Sequence, residues 1–158
     1  QEDAALRCHW LWARIHLQKA SPEAEVRALW LSAQSLPAAC DPALRWFRQA
    51  GHLRPVLVWQ RIELAARARN AALMRQLAPL LPGLARSEAL GYAQLVADPQ
   101  RALPQAARWA DTARSRRYIA RALADLARRD APAAGAQWPL LSKRFAFNAA
   151  QRHRYGRR

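Results

Sequence analysis

The chain has almost none of the residues that build β-strands. Val occurs four times, Ile three times and Thr once in 158 positions, against 37 Ala and 24 Arg. β-Branched side chains pack well on a pleated sheet, whereas Ala and Arg give up little freedom in a helix, so this composition favours an all-α fold. The five Gly and ten Pro fall mostly where a helix would start or stop, giving helices separated by tight corners. No apolar run of about twenty residues occurs, so no helix spans a membrane. The first five residues show neither an initiator Met nor the basic-then-apolar layout of a secretory signal, and the chain reads as a mature or excised piece.

Apolar spacing locates the helices. Over residues 3–19, Cys8, Leu11 and Ile15 form one stripe and Leu6, Trp10 and Leu17 another, which predicts a helix covered on two sides. Ser21-Pro22-Glu23 supplies an N-cap, a first-turn Pro and early acid. Val26, Leu29, Trp30 and Ala33 then extend a second helix antiparallel to the first. Asp41-Pro42 opens a third helix with Leu44, Trp46 and Phe47, ending near Gly51. Pro55 opens a fourth through Leu57, Val58, Ile62, Leu64 and Ala65, and Asn70 marks the next corner. Further helices are expected over residues 71–81, 85–97, 99–110, 114–129 and 132–143, and a last amphipathic stretch over 145–155.

Short helices joined by two- to four-residue corners must fold back on their neighbours. The expected architecture is a superhelical solenoid of short antiparallel helix pairs, about ten helices in all, because inner helices of a solenoid need two apolar faces and Ala-rich faces let layers approach closely. No fixed tetratricopeptide signature is present. Residues 1–158 read as one such domain or fragment, with residues 82–84 as the place where it would subdivide.

With 26 Lys and Arg against 11 Asp and Glu, the formal net charge is +15 and the chain attracts polyanions: nucleic acid, anionic lipid or acidic glycan. Arg-rich composition also follows from genomic coding bias, but residues 143–158 hold six basic residues and no acid, which marks a solvated or partner-facing end.

Two cysteines are present. A hairpin turning near Ala20 and Ser21 carries Cys40 back to the level of Cys8, so a disulfide is geometrically reasonable; two buried free thiols are the alternative. Closing the loop would stabilise by roughly 3–4 kcal/mol and would require an oxidising compartment such as the periplasm.

Catalytic constellations do not assemble. His9, His16, His52 and His153 are not spaced as helical metal ligands, and they read as surface or capping residues. Glu63 and Glu88 are the isolated acids, each an ordinary helix residue. No catalytic, cofactor-binding or metal-binding residue is assigned. Of the seven Trp, Trp30, Trp46 and Trp59 fall in apolar stripes, while Trp12, Trp109 and Trp138 are the candidates for exposure and sugar stacking. With Arg114, Arg116, Arg117, Lys143, Arg144, Arg152 and Arg154 they form the candidate polyanion or glycan contact set.

One ordered set of residues resembles a known family. Leu6-Arg7-Cys8 in a first helix, Leu29-Trp30 in a second, Cys40-Asp41-Pro42 opening a short Trp-Phe helix, and Trp59-Gln60-Arg61-Ile62 leading to Asn70 resemble the superhelical part of periplasmic soluble lytic transglycosylases. The resemblance is strongest from Cys8 to Pro82. It implies helical hairpins forming a curved or ring-like body around a separate, C-terminal lysozyme-like domain. That domain uses one Glu as acid and then base to cleave between N-acetylmuramic acid and N-acetylglucosamine, leaving a 1,6-anhydro end. The Glu-Ser and Gly-Leu-Met-Gln elements of that domain are missing, so no catalytic residue carries over. The cysteines do carry over, as a structural disulfide between Cys8 and Cys40.

Two functions follow. The first is a non-catalytic scaffold segment, with no cofactor, whose partners are peptidoglycan strands and the lysozyme-like domain. The second is a free-standing helical adaptor that binds protein or nucleic acid through an Arg-rich face, with reduced cysteines and salt-sensitive binding. Nucleic acid is not the expected partner.

Overall fold

The computed structural model describes residues 2–17 and 22–153, and every regular element within them is helical. The chain forms two compact units, Gln1–Arg86 and Ser87–Arg158. The first contains α1 (Glu2–His16), α2 (Glu23–Trp30), α3 (Asp41–Gln49), α4 (Pro55–Arg67) and α5 (Ala71–Leu77), with 3-10 turns at Ala38–Cys40 and Ala78–Leu80. α6 (Gly83–Ala97) begins in the first unit and continues into the second, which adds α7 (Pro99–Ala106), α8 (Ala113–Arg129), α9 (Ala131–Arg144) and α10 (Ala149–His153). The all-α class and the number of helices are those expected from the sequence.

In the first unit α1 packs through Cys8 and Leu11 on the 38–40 turn and α3, both side chains fully buried. The return of α2 is tied by Arg14 near the end of α1, which donates to both carboxylate oxygens of Glu25 at 2.6 and 2.8 Å. The expected cap at Ser21 lies outside the described residues. The second apolar stripe of α1 is not covered within the described residues of this unit: Leu6, Trp10 and Leu17 are 70%, 63% and 60% exposed. Helical spacing identifies an apolar face but cannot supply the element that packs on it.

α2 also stops earlier than its spacing suggests, at Trp30 rather than Ala33. The carbonyls of the irregular segment that follows bond to side chains from α4 and from the corner after it. Arg61 donates through Nε to Ser32 O (3.2 Å) and through Nη2 to Gln34 O (3.1 Å), and Asn70 Nδ2 donates to Ala33 O (3.2 Å). The Arg61 guanidinium lies 4.6 Å from the Trp30 ring centre, and Trp30 Nε1 donates to Leu57 O at 3.0 Å. Burial lowers the Arg61 pKa to about 10, so the side chain keeps its charge at neutral pH.

In the second unit the helices start on side-chain caps. Asp98 accepts from Arg101 N (3.3 Å), Asp130 accepts from Ala133 N (3.0 Å), and Thr112 and Ser115 form a reciprocal capping box at the head of α8. Ser115, Tyr118, Ile119, Ala122, Leu123 and Leu126 recur at three- and four-residue spacing, and all are buried. Tyr92 and Tyr118 stack with ring centres 4.2 Å apart, joining α6 to α8. Among the described residues, the stretch after α9 is helical at Ala149–His153, and residues 145–148 run outside a helix to bury Phe145 and Phe147. Its expected end at Tyr155 lies outside the described residues.

Candidate functional site

Cys8 and Cys40 form a disulfide with Cα atoms 4.8 Å apart, and both residues are fully buried. The bridge closes a 32-residue separation and fixes α1 against the turn that leads into α3.

The candidate contact residues are divided between the two units. Trp12 stands on α1 in the first unit, 37% exposed, its ring centre 6.0 Å from that of His16. The most exposed indole is instead Trp10, one of the three residues of the uncovered stripe. Trp109 in the second unit lies against Gly91, where a Cβ would meet its Cζ2 at 2.7 Å, and meets Tyr92 edge-on at 5.4 Å. Trp138 stacks on Phe147 at 5.5 Å, and Arg152 Nε donates to Phe147 O at 3.1 Å. Arg114, Arg116 and Arg117 occupy the first turns of α8, and Lys143 and Arg144 are exposed at the end of α9. Arg116 donates to Asp111 at 2.6 Å, and the other Asp111 oxygen accepts from Ala146 N at 3.1 Å. That hydrogen bond from Arg116 holds the Asp111 carboxyl below the ordinary carboxylate range. Arg154 lies outside the described residues. Burial above all, and then Glu88, pushes the Tyr92 hydroxyl up to about 12.

A groove the sequence did not announce lies in the first unit, with a volume of about 460 Å³. Glu23 and Arg27, one turn apart on α2, form one wall and pair at 2.8 Å. Arg54, Val56 and Gln60, at the start of α4, form the other. His52 sits between them, with Nδ1 3.5 Å from Glu23 Oε1 and its ring 5.4 Å from both Trp46 and Phe47. Gly51 before it has φ of 80°, a backbone conformation that favours glycine and turns the chain out of α3. The Glu23 to Arg27 spacing was readable as a helical ion pair, but nothing in linear order brings residues 52–60 to residue 23. Among the described residues no group of three His, Cys, Asp or Glu could hold a metal ion, and no helix is long and apolar enough to cross a membrane.

The soluble lytic murein transglycosylase of Escherichia coli K12 is 29% identical over 146 residues, covering 92% of this chain and 23% of the relative. That of Salmonella typhimurium is 32% identical over 123 residues, covering 78% and 19%. Among solved structures, the 70-kDa soluble lytic transglycosylase in complex with bulgecin A superposes with a TM-score of 0.81 at 28% identity, over 96% of this chain and 25% of that one. The chain is homologous to the soluble lytic murein transglycosylases. The lytic transglycosylase Slt of Pseudomonas aeruginosa agrees, with a TM-score of 0.70 at 30% identity over 95% of this chain and 24% of its own. This chain therefore spans about a quarter of the length of the transglycosylases it matches.

A family model described as Cucumovirus coat protein also matches, over residues 12–97. That match begins after Cys8 and stops at the end of α6, so it omits one half of the disulfide and most of the second unit. Sequence rich in Ala and Arg aligns readily with other sequence of like bias. The transglycosylase matches instead extend over 92% of this chain in sequence and 96% in structure, and the assignment rests on them.

Proposed function

We propose that this chain is a non-catalytic helical scaffold segment of a periplasmic lytic transglycosylase, which orients peptidoglycan strands or positions the catalytic domain of the whole protein. The whole protein would cleave the β-1,4 bond between N-acetylmuramic acid and N-acetylglucosamine and leave 1,6-anhydromuramoyl ends. The observation that carries this reading is the likeness of 96% of this chain to a quarter of a 70-kDa soluble lytic transglycosylase. The Cys8–Cys40 bridge supports an oxidising compartment, and the +15 charge supports attraction to a polymer whose stem peptides carry carboxylates. A free-standing adaptor with reduced cysteines is the reading the disulfide argues against.

The test pairs two measurements on the purified chain. Incubation with peptidoglycan sacculi is expected to co-sediment the chain, and mass spectrometry of the supernatant to find no 1,6-anhydro products. Release of such products by the chain itself would overturn the scaffold reading. Failure to co-sediment at low salt, where the electrostatic attraction is least screened, would overturn strand orientation and leave positioning of the catalytic domain as the scaffold's role.

A further inference from the structure

We propose that the groove between α2 and the start of α4 binds a short acidic peptide that also carries an amine. Within the proposed function, on which the choice of ligand rests, this peptide is the stem peptide of peptidoglycan. The groove's volume of about 460 Å³ is that of a small-ligand site. Its polarity is asymmetric. Arg54 forms no ion pair among the described residues, so its guanidinium is available to a carboxylate in forked geometry. Arg27 spends one Nη on Glu23 and keeps its remaining donors. Glu23 provides the one negative wall, already placed against Arg27 and His52, and it suits an ammonium group on the same ligand.

The uncharged lining selects a peptide over a bare sugar. The Gln60 side chain makes no hydrogen bond among the described residues, and its amide offers one donor and one acceptor group, matching a peptide unit. Val56, 59% exposed, presents an apolar wall the size of an alanine side chain. No indole lines the groove, so the flat face that stacks on a pyranose is missing from its walls. His52 is held from behind by the Trp46 and Phe47 rings, so this wall is fixed before any ligand arrives.

The test is a titration of the ¹⁵N-labelled full chain with the synthetic peptide N-acetyl-L-Ala-γ-D-Glu-L-Lys, which carries two carboxylates and one amine, followed by amide chemical shifts. Its carboxylate-amidated form and chitotetraose, a glycan without peptide, serve as comparisons. Saturable shifts are expected at residues 23–27 and 51–60, weakened about tenfold in Arg54→Gln and lost with the amidated peptide. Arg54 is exposed, so circular dichroism of the variant should match the parent chain. Shifts that persist unchanged in Arg54→Gln, that arise equally with the amidated peptide or chitotetraose, or that fall elsewhere overturn the proposal, whether or not sacculi sediment the chain. Peptide binding at these residues without sedimentation of the chain on sacculi would leave the groove assignment standing and overturn strand orientation by the chain instead.

Discussion

The two units reach order by different means. The first has an irregular stretch at residues 31–37, and it is held by long-range ties: the Cys8–Cys40 bridge and the Arg61 and Asn70 side chains on the carbonyls of Ser32, Ala33 and Gln34. The second has the longest helix, α8, and it is held by local devices: side-chain caps at Asp98, Thr112 and Asp130 and an aromatic layer of Tyr92, Tyr118 and Trp109. A segment whose backbone bonds are closed by distant side chains depends on a few residues, whereas one built from caps and periodic burial spreads its stability over many. The contrast predicts that single changes will be felt sharply in the first unit and gradually in the second.

Removal of the disulfide should be the largest effect. Replacing both Cys8 and Cys40 by Ala, or reducing the bridge, is expected to destabilise the first unit by roughly 3–4 kcal/mol on the chain-entropy account. Hydrogen exchange should then rise across α1 to α3 while the amides of α8 keep their protection. Equal loss of protection in α8 would show that the two units do not unfold independently.

Next in size is Arg61→Ala. It strips the Ser32 carbonyl of the Arg61 donor, leaves the Gln34 carbonyl to the Ser32 hydroxyl and uncovers one face of Trp30, at about 2 kcal/mol given ordinary costs for a lost hydrogen bond and a lost cation–π contact. Denaturant midpoints and faster exchange at residues 31–37 would register it. A midpoint within about 0.5 kcal/mol of the parent chain would mean that the segment is held by other contacts.

For the second unit, Gly91→Ala sets two known terms against each other. Ala is the better helix former by about 1 kcal/mol, but its Cβ would meet Trp109 Cζ2 at 2.7 Å, and overpacking of this kind costs about 1–3 kcal/mol. Because the indole is pinned edge-on against Tyr92, the ring cannot swing away freely, and a net loss of about 1 kcal/mol is expected. A thermal scan of the variant decides the sign, and an increase in stability would show Trp109 to be mobile.

The legibility of the chain follows the same division. The corner at Asn70 and the helix ranges of the second unit rest on short-range signals and were readable, whereas the capping roles of Asp98 and Asp130 were not singled out. Features that depend on meeting a distant partner were not readable. Leu6, Trp10 and Leu17 have the spacing of a buried face, yet they remain exposed for want of a covering element among the described residues of the unit. Ala33 continues the stripe of α2, but the helix has already ended, and the Arg61 and Asn70 side chains hold the carbonyls of residues 32–34 in the irregular segment that follows. The expected contact residues were chosen one at a time for type, and the structure spreads them over both units. The groove at residues 23 and 52–60 arises only when α2 and α4 meet, and its one local trace was the Glu23 and Arg27 pair.

The smallest expected effect tests whether charge adds anything to the local devices of the second unit. Asp111 joins the head of α8 to the segment after α9 by accepting from Arg116 and from Ala146 N, and the Arg116 hydrogen bond lowers its pKa in the folded chain. A carboxylate with a depressed folded pKa binds fewer protons folded than unfolded. Its stabilisation is therefore complete above the ordinary Asp value near 4 and is lost as pH falls through the lower folded value. Asp111→Asn keeps one oxygen for Ala146 but removes the charge together with the acceptor that Arg116 uses, so the variant should be slightly less stable than the parent at pH 7 and close to it at strongly acid pH. The exposed setting and salt screening keep the difference small, and 0.5 M NaCl should shrink it further. A gap between the two proteins that is unchanged by acid and by salt would assign the role of Asp111 to hydrogen-bond geometry alone, and the second unit would then owe nothing measurable to this ion pair.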